Sequence, residues 1–145
     1  MLIKQISIFV ENKSGRLAEI TKLFGEKNIN IHALSIADTT DFGILRLIVS
    51  DPAHAEKILK ECGLTVKATD VIGISVSHTP GGLAKALNAL NDNGISIAYM
   101  YAFVGTSQDE AMVIIKVEDN QKAIKVLGDN GITVLSNDFV DTIGK

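Results

Sequence analysis

A single cysteine, two prolines, no tryptophan and no excess of positive charge are what this 145-residue chain has least of. Cys62 alone excludes an internal disulfide, and no Cys/His cluster has metal-ligand spacing, so neither a disulfide framework nor a metal or other cofactor is expected. No apolar run approaches the roughly 20 residues that span a bilayer, which argues against a membrane partner. The formal net charge of -3 leaves no positive field to attract phosphate backbones, and nucleic acid is not an expected partner. The opening MLIKQISIFVEN alternates like a strand and lacks the continuous apolar stretch of a signal peptide, so the expected compartment is the reducing cytoplasm.

What is present suffices for a core: 46% of the residues are hydrophobic and 21% charged. The strongest signal is an internal repeat. Gly15, Leu17 and Ala18 recur as Gly81, Leu83 and Ala84, an offset of 66 residues shared by Ile6, Ile8, Ile29 and Ile31 with Ile72, Ile74, Ile95 and Ile97. After a two-residue insertion the offset is 68, and Asp51, Ala55, Leu59, Gly63, Thr65 and Val66 match Asp119, Ala123, Leu127, Gly131, Thr133 and Val134. Two domains are expected, 1–70 and 71–145. Each would bury only about 60% of its unfolded surface alone and would lean on its neighbour.

Each copy parses alike. Ile6, Ile8 and Val10 alternate with Ser7, Phe9 and Glu11, the period of a strand with one buried face. Leu17, Ile20 and Phe24 share one stripe of a helix running from Arg16 to near Asn28, and its twin carries Leu83, Ala86, Leu87 and Leu90 before an Asn93-Gly94 stop. Ile29 to Ala37 and Ile44 to Ser50 read as a hairpin with its turn around Asp38 to Asp41. Asp51 with Pro52 opens a second helix whose apolar face is Ala55, Ile58, Leu59 and Cys62, and Asp119 repeats the cap. The fourth strand, from Thr65, runs through VKATDVIGISVS into the second copy with no Gly- or Ser-rich linker, which places the sheets side by side in a fixed relation. The β-α-β-β-α-β order predicts an α+β, ferredoxin-like fold, an antiparallel sheet with both helices on one face, twice over.

The run Glu11-Asn12-Lys13-Ser14-Gly15-Arg16-Leu17-Ala18, with Asn28-Ile29-Asn30-Ile31 after the helix, resembles the ACT domain, the small-molecule-sensing module of amino-acid metabolism. The second copy, His78-Thr79-Pro80-Gly81-Gly82-Leu83, shows the family's Pro-Gly-x-Leu form. The chemistry of such a loop is general: a glycine lets the backbone approach a ligand, and the exposed N–H groups at a helix start favour a carboxylate. The resemblance implies a ligand-binding set of Asn12, Ser14, Gly15, Arg16, Leu17, Asn28, Ile29 and Asn30 in the first copy. In the second it implies His78, Pro80, Gly81, Gly82, Leu83, Ile95 and Ser96, with no catalytic residue in either. The similar serine-sensing domain of phosphoglycerate dehydrogenase implies contacts from Asn12 and from Asn30 of a facing domain, although Val10 stands where that protein has a contacting His. His78 and Ser96 occupy the equivalent places in the second copy.

Blander readings stand beside these. Gly15 and Gly81 serve a turn in one reading and a ligand in the other, Asn12 caps the turn or contacts ligand, and Arg16 is a solvated first-turn side chain or a carboxylate clamp. Cys62 fills core at a helix end, His54 is solvated, and His32 faces core or interface. Tyr99, Tyr101 and Phe103 alternate on one face, read as an interface, with Ala98, Met100 and Ala102 turned to the helices. The leading expectation is a stand-alone regulatory protein that binds an amino-acid-like ligand between ACT domains of a homodimer, and is not an enzyme. Three rivals are an acylphosphatase-like enzyme using Arg16 and Asn12, an RNA-recognition domain, and a ligand-free oligomeric scaffold. The RNA reading needs stacking aromatics on the first and third strands, where the sequence offers Phe9 but none from Ile44 to Ser50.

Overall fold

The computed structural model describes residues 2–11, 15–38, 42–105 and 109–142. In chain order the elements are β1 (Ile3–Glu11), α1 (Arg16–Glu26), β2 (Ile31–Asp38), β3 (Phe42–Val49), α2 (Pro52–Glu61) and β4 (Thr65–Ser77). They continue as α3 (Gly82–Asp92), β5 (Ile97–Ala102), β6 (Glu110–Val117), α4 (Asn120–Asp129), β7 (Thr133–Leu135) and α5 (Asn137–Thr142). The chain divides into a unit of Lys4–Thr69 and a second that takes Leu2 and Ile3 with the chain from Asp70 onward. Strand β4 carries the chain from one unit into the next without a loop.

In the first unit the strand order is β2-β3-β1-β4. β3 pairs antiparallel with both neighbours, Leu45 lying opposite Ile8 and Leu47 opposite Leu34. Alternation sends Ile6, Ile8, Val10, Leu45, Leu47 and Val49 to one face, where Ile20 and Phe24 of α1 and Ala55, Ile58 and Leu59 of α2 close over them. Each such side chain withdrawn fully from water contributes about 1.5–3 kcal/mol before the entropy cost of ordering. The second unit repeats the plan with order β7-β4-β6-β5. Ile72, Ile74 and Val76 meet Val113, Ile115 and Val117 under Ala86, Ala89 and Leu90 of α3 and Ala123, Val126 and Leu127 of α4.

Two of the four main helices begin as the sequence predicts, on an aspartate. Asp51 accepts the backbone N–H of His54 at 3.2 Å, and Asp119 that of Lys122 at 3.1 Å. Several expectations need correction. Leu17 and Leu83 share the helix period but remain 40% and 37% exposed, each in the first turn of its helix. Cys62 is exposed: it is the cap residue of α2, beyond the last turn that faces the core. α1 stops at Glu26, since Asn28 at φ 58 cannot continue a right-handed helix.

β3 opens at Phe42, two residues before the expected Ile44, and this sets a 55% exposed Phe42 beside the exposed Phe9 on the face away from the helices. In β5 a bulge lies between Ile97 and Tyr99. Beyond it Met100 and Ala102 lie opposite the core residues Ile115 and Val113, while Tyr99 and Tyr101, opposite Lys116 and Ile114, take the other face as expected. Met100 reaches the helix-covered core, Ala98 and Ala102 stay exposed, and Tyr101 and Phe103 are buried within this one chain instead of waiting for a partner. His32 is buried. No helix is expected from the sequence past Leu135, yet α5 forms there with the N–H of Phe139 donating to Ser136 Oγ at 3.2 Å. The predicted turn at residues 39–41 lies outside the described residues.

Candidate functional site

The strand-to-helix junction after β1 and its twin after β4 are where the sequence places a ligand. Gly15 precedes α1 at φ 84 and Gly81 precedes α3 at φ 87, a left-handed conformation that costs an L side chain about 1–2 kcal/mol. Neither glycine has a side chain to cap its helix, so among the described residues the first-turn amides have no counterpart of the acceptor that Asp51 and Asp119 supply to α2 and α4. At α3 the chain itself takes one of them: the Gly82 N–H donates to the Thr79 carbonyl at 3.0 Å. The Leu83 and Ala84 amides remain as first-turn donors without an intrahelical acceptor. Gly82 is also pinned by packing, because a Cβ there would drive into the carbonyl of Ser77.

Among the remaining predicted residues, Asn12 and Ser14 lie outside the described residues. Arg16 turns to Glu19, Nη1 to Oε2 at 3.3 Å. Ile29 is buried in the first core, and Ile95 packs against the second while its N–H donates to Leu90 O at 2.9 Å. Asn30 exchanges two bonds with Ser50, its N–H donating to the hydroxyl and its carbonyl accepting from the Ser50 N–H, both at 3.0 Å. Its side chain is left to the surface. Asn28 and Ser96 are exposed, as are Pro80 and His78, whose N–H donates to Asp109 O at 2.9 Å.

Cavities divide this set. In the first unit Arg16 lines a space of about 320 Å³ with Lys22, Glu26 and Cys62, while Leu17 lines an apolar groove of about 50 Å³ with Leu34, Ile36 and Leu45. In the second, Ile95 and Ser96 border about 380 Å³ together with Asp119 and Lys122. Gly82 borders a further 360 Å³ whose polar lining of Ser75, Lys85, Asp109 and Glu110 the sequence reading missed. Those four belong to no recognisable motif, and they converge only through strand pairing and the turn before β6. Among the described residues no group of three His, Cys, Asp or Glu side chains is placed to hold a metal ion.

Two ferredoxin-like units in tandem, each with its first helix headed by a left-handed glycine, define a duplicated α+β module. The model of one family, the ACT domain pair, matches residues 1–143, and this chain belongs to that family. The chain is similar to the crystal structure of protein BT0572 from Bacteroides thetaiotaomicron, with 45% identity and a TM-score of 0.92 over 99% of this chain and 98% of that one. It is 27% identical over 127 residues to the acetolactate synthase small subunit of Bacillus subtilis, covering 80% of this chain and 74% of that protein. The ligand-free regulatory subunit of aspartate kinase from Thermus thermophilus shares the fold, with a TM-score of 0.64 at 20% identity over 89% of this chain and 93% of that one. No helix among the described residues is long and apolar enough to cross a membrane.

Proposed function

We propose that this ACT domain pair is a regulatory protein that senses a small α-amino acid and catalyses no reaction, its domains being the duplicated halves 1–70 and 71–145. The observation that carries the reading is the contrast in helix starts, glycine at φ 84 and φ 87 for α1 and α3 against capping aspartates for α2 and α4. Uncapped first-turn amides beside a flat, side-chain-free backbone suit a carboxylate, and an α-amino acid brings one. Support comes also from the similarity to a small subunit and to a regulatory subunit, names that describe accessory chains. The acyl-phosphate reading is weaker, since Arg16 is occupied by Glu19.

The proposed working form is a cytoplasmic homo-oligomer, at least a dimer, in which a facing ACT domain of a second copy completes the site. A ligand bound across such a boundary favours one packing arrangement over another by the difference in its affinity for the two. Isothermal titration of the full chain with the twenty common amino acids tests the proposal. At least one is expected to bind; silence from all twenty, with the protein folded, contradicts it.

A further inference from the structure

The 360 Å³ cavity of the second unit lies where the end of β4, the first turn of α3, the start of β6 and the turn before β7 meet. Its wall carries one cation, Lys85, and two carboxylates, Asp109 and Glu110. No ion pair among the described residues joins Lys85 to either carboxylate. Glu110 is instead aimed by a buried neighbour: Ser75, on the adjacent strand, donates its hydroxyl to Oε2 at 2.9 Å. Opposite charges held around a void without meeting each other are matched by a ligand that carries both signs on one small skeleton. Val76 and Ile132, buried on the same wall, give such a ligand an apolar surface.

Among the described residues the first unit offers no equivalent set, and the counterpart of Asp109, Asp41, lies outside them. At the repeat offsets Ser75 corresponds to Phe9, Lys85 to Glu19 and Glu110 to Phe42. The strand register agrees, because Ser77 lies opposite Glu110 as Glu11 lies opposite Phe42. The duplicated positions are therefore two exposed aromatics and a glutamate already paired with Arg16.

We infer that the second unit alone holds an amino-acid site in this cavity, with Lys85 taking the ligand carboxylate and Glu110, oriented by Ser75, taking its ammonium. This rests on the amino-acid reading above, and adds which repeat binds and through which side chains. A ligand with a small or apolar side chain fits the Val76 and Ile132 wall.

Titration of the full chain, as wild type, K85Q and E110Q, tests the assignment against three probes. These are the amino acid that wild type binds most tightly, its decarboxylated amine and its des-amino acid. Lys85 and Glu110 are both exposed, so both variants are expected to fold, checked by an unchanged melting temperature. Each variant is expected to bind the amino acid about tenfold or more weakly, as for loss of one charge-assisted hydrogen bond. The K85Q loss should vanish for the amine, which has no carboxylate, and the E110Q loss for the des-amino acid. Wild-type binding that survives both substitutions but is lost in G15A or N30A overturns the inference and leaves the sensing reading intact. Silence of wild type toward all twenty amino acids overturns both.

Discussion

α1 and α3 begin on glycine and α2 and α4 on aspartate, and the difference separates two uses of one kind of helix end. At α2 and α4 the chain satisfies its own amides: Asp51 and Asp119 each close a first turn at about the same distance, and Pro52 adds a preset φ at the start of α2. Such ends serve stability and have little left to offer a ligand. At α1 and α3 a left-handed glycine gives up that cap, worth typically about 1 kcal/mol, and leaves donors facing outward. The two glycine-headed ends also differ from each other. α1 places Arg16 and Glu19 in its first turn and pairs them, whereas α3 places Gly82 and Lys85, which has no ion pair among the described residues, at the same positions, beside a cavity.

The sharpest way to break this comparison is at the glycines where α1 and α3 begin. Arg16 occupies in α1 the position that Gly82 occupies in α3, so a side chain is tolerated in one copy and collides with Ser77 in the other. Gly82→Ala is expected to cost about 3 kcal/mol through that collision. Gly15→Ala, whose Cβ meets nothing within 4 Å, is expected to cost about 1–2 kcal/mol from backbone conformation alone. Urea denaturation measures both, and equal losses would mean that the close approach of α3 to Ser77 is not real.

A smaller effect tests the capped ends. Asp51→Ala and Asp119→Ala are each expected to lose about 1 kcal/mol of stability with ligand affinity unchanged, and Asp→Asn at either site to lose much less. Thermal melts alongside the titration suffice. A drop in amino-acid affinity at Asp51 or Asp119 would erase the proposed division between structural and binding ends.

Much of the fold was legible because duplication doubled every signal. The β-α-β-β-α-β order, the two aspartate caps and the unbroken passage through VKATDVIGISVS follow from local chemistry, which the tertiary structure did not override. Errors fell where geometry beyond one element decides. Periodicity put Leu17 and Leu83 on the core stripe, but how far a first turn is closed over is set by helix placement, which no period encodes. Tyr101 does face away from the helices, opposite Ile114, but that it and Phe103 are buried there depends on what packs over that face, which alternation along one strand does not report. The six residues of α5 are too few for a repeating apolar pattern.

The candidate site was half legible. Gly15 and Gly81 stand out by position, and the structure gives both the left-handed φ that only glycine adopts without strain. Ser75, Lys85, Asp109 and Glu110 are scattered over 36 positions of sequence and become neighbours only when β4 and β6 pair, with Ser77 opposite Glu110. Their chemistry is ordinary residue by residue, so no motif marks them.

The contrast between helix ends is tested most directly by following backbone amides of the full chain by NMR while the tightest-binding amino acid is added. The account predicts that the amides of Leu83 and Ala84 at the head of α3 shift with ligand, while those of His54 in α2 and Lys122 in α4, already given to aspartate, stay in place. Shifts centred on the capped heads, with the glycine-headed turns unmoved, would contradict it.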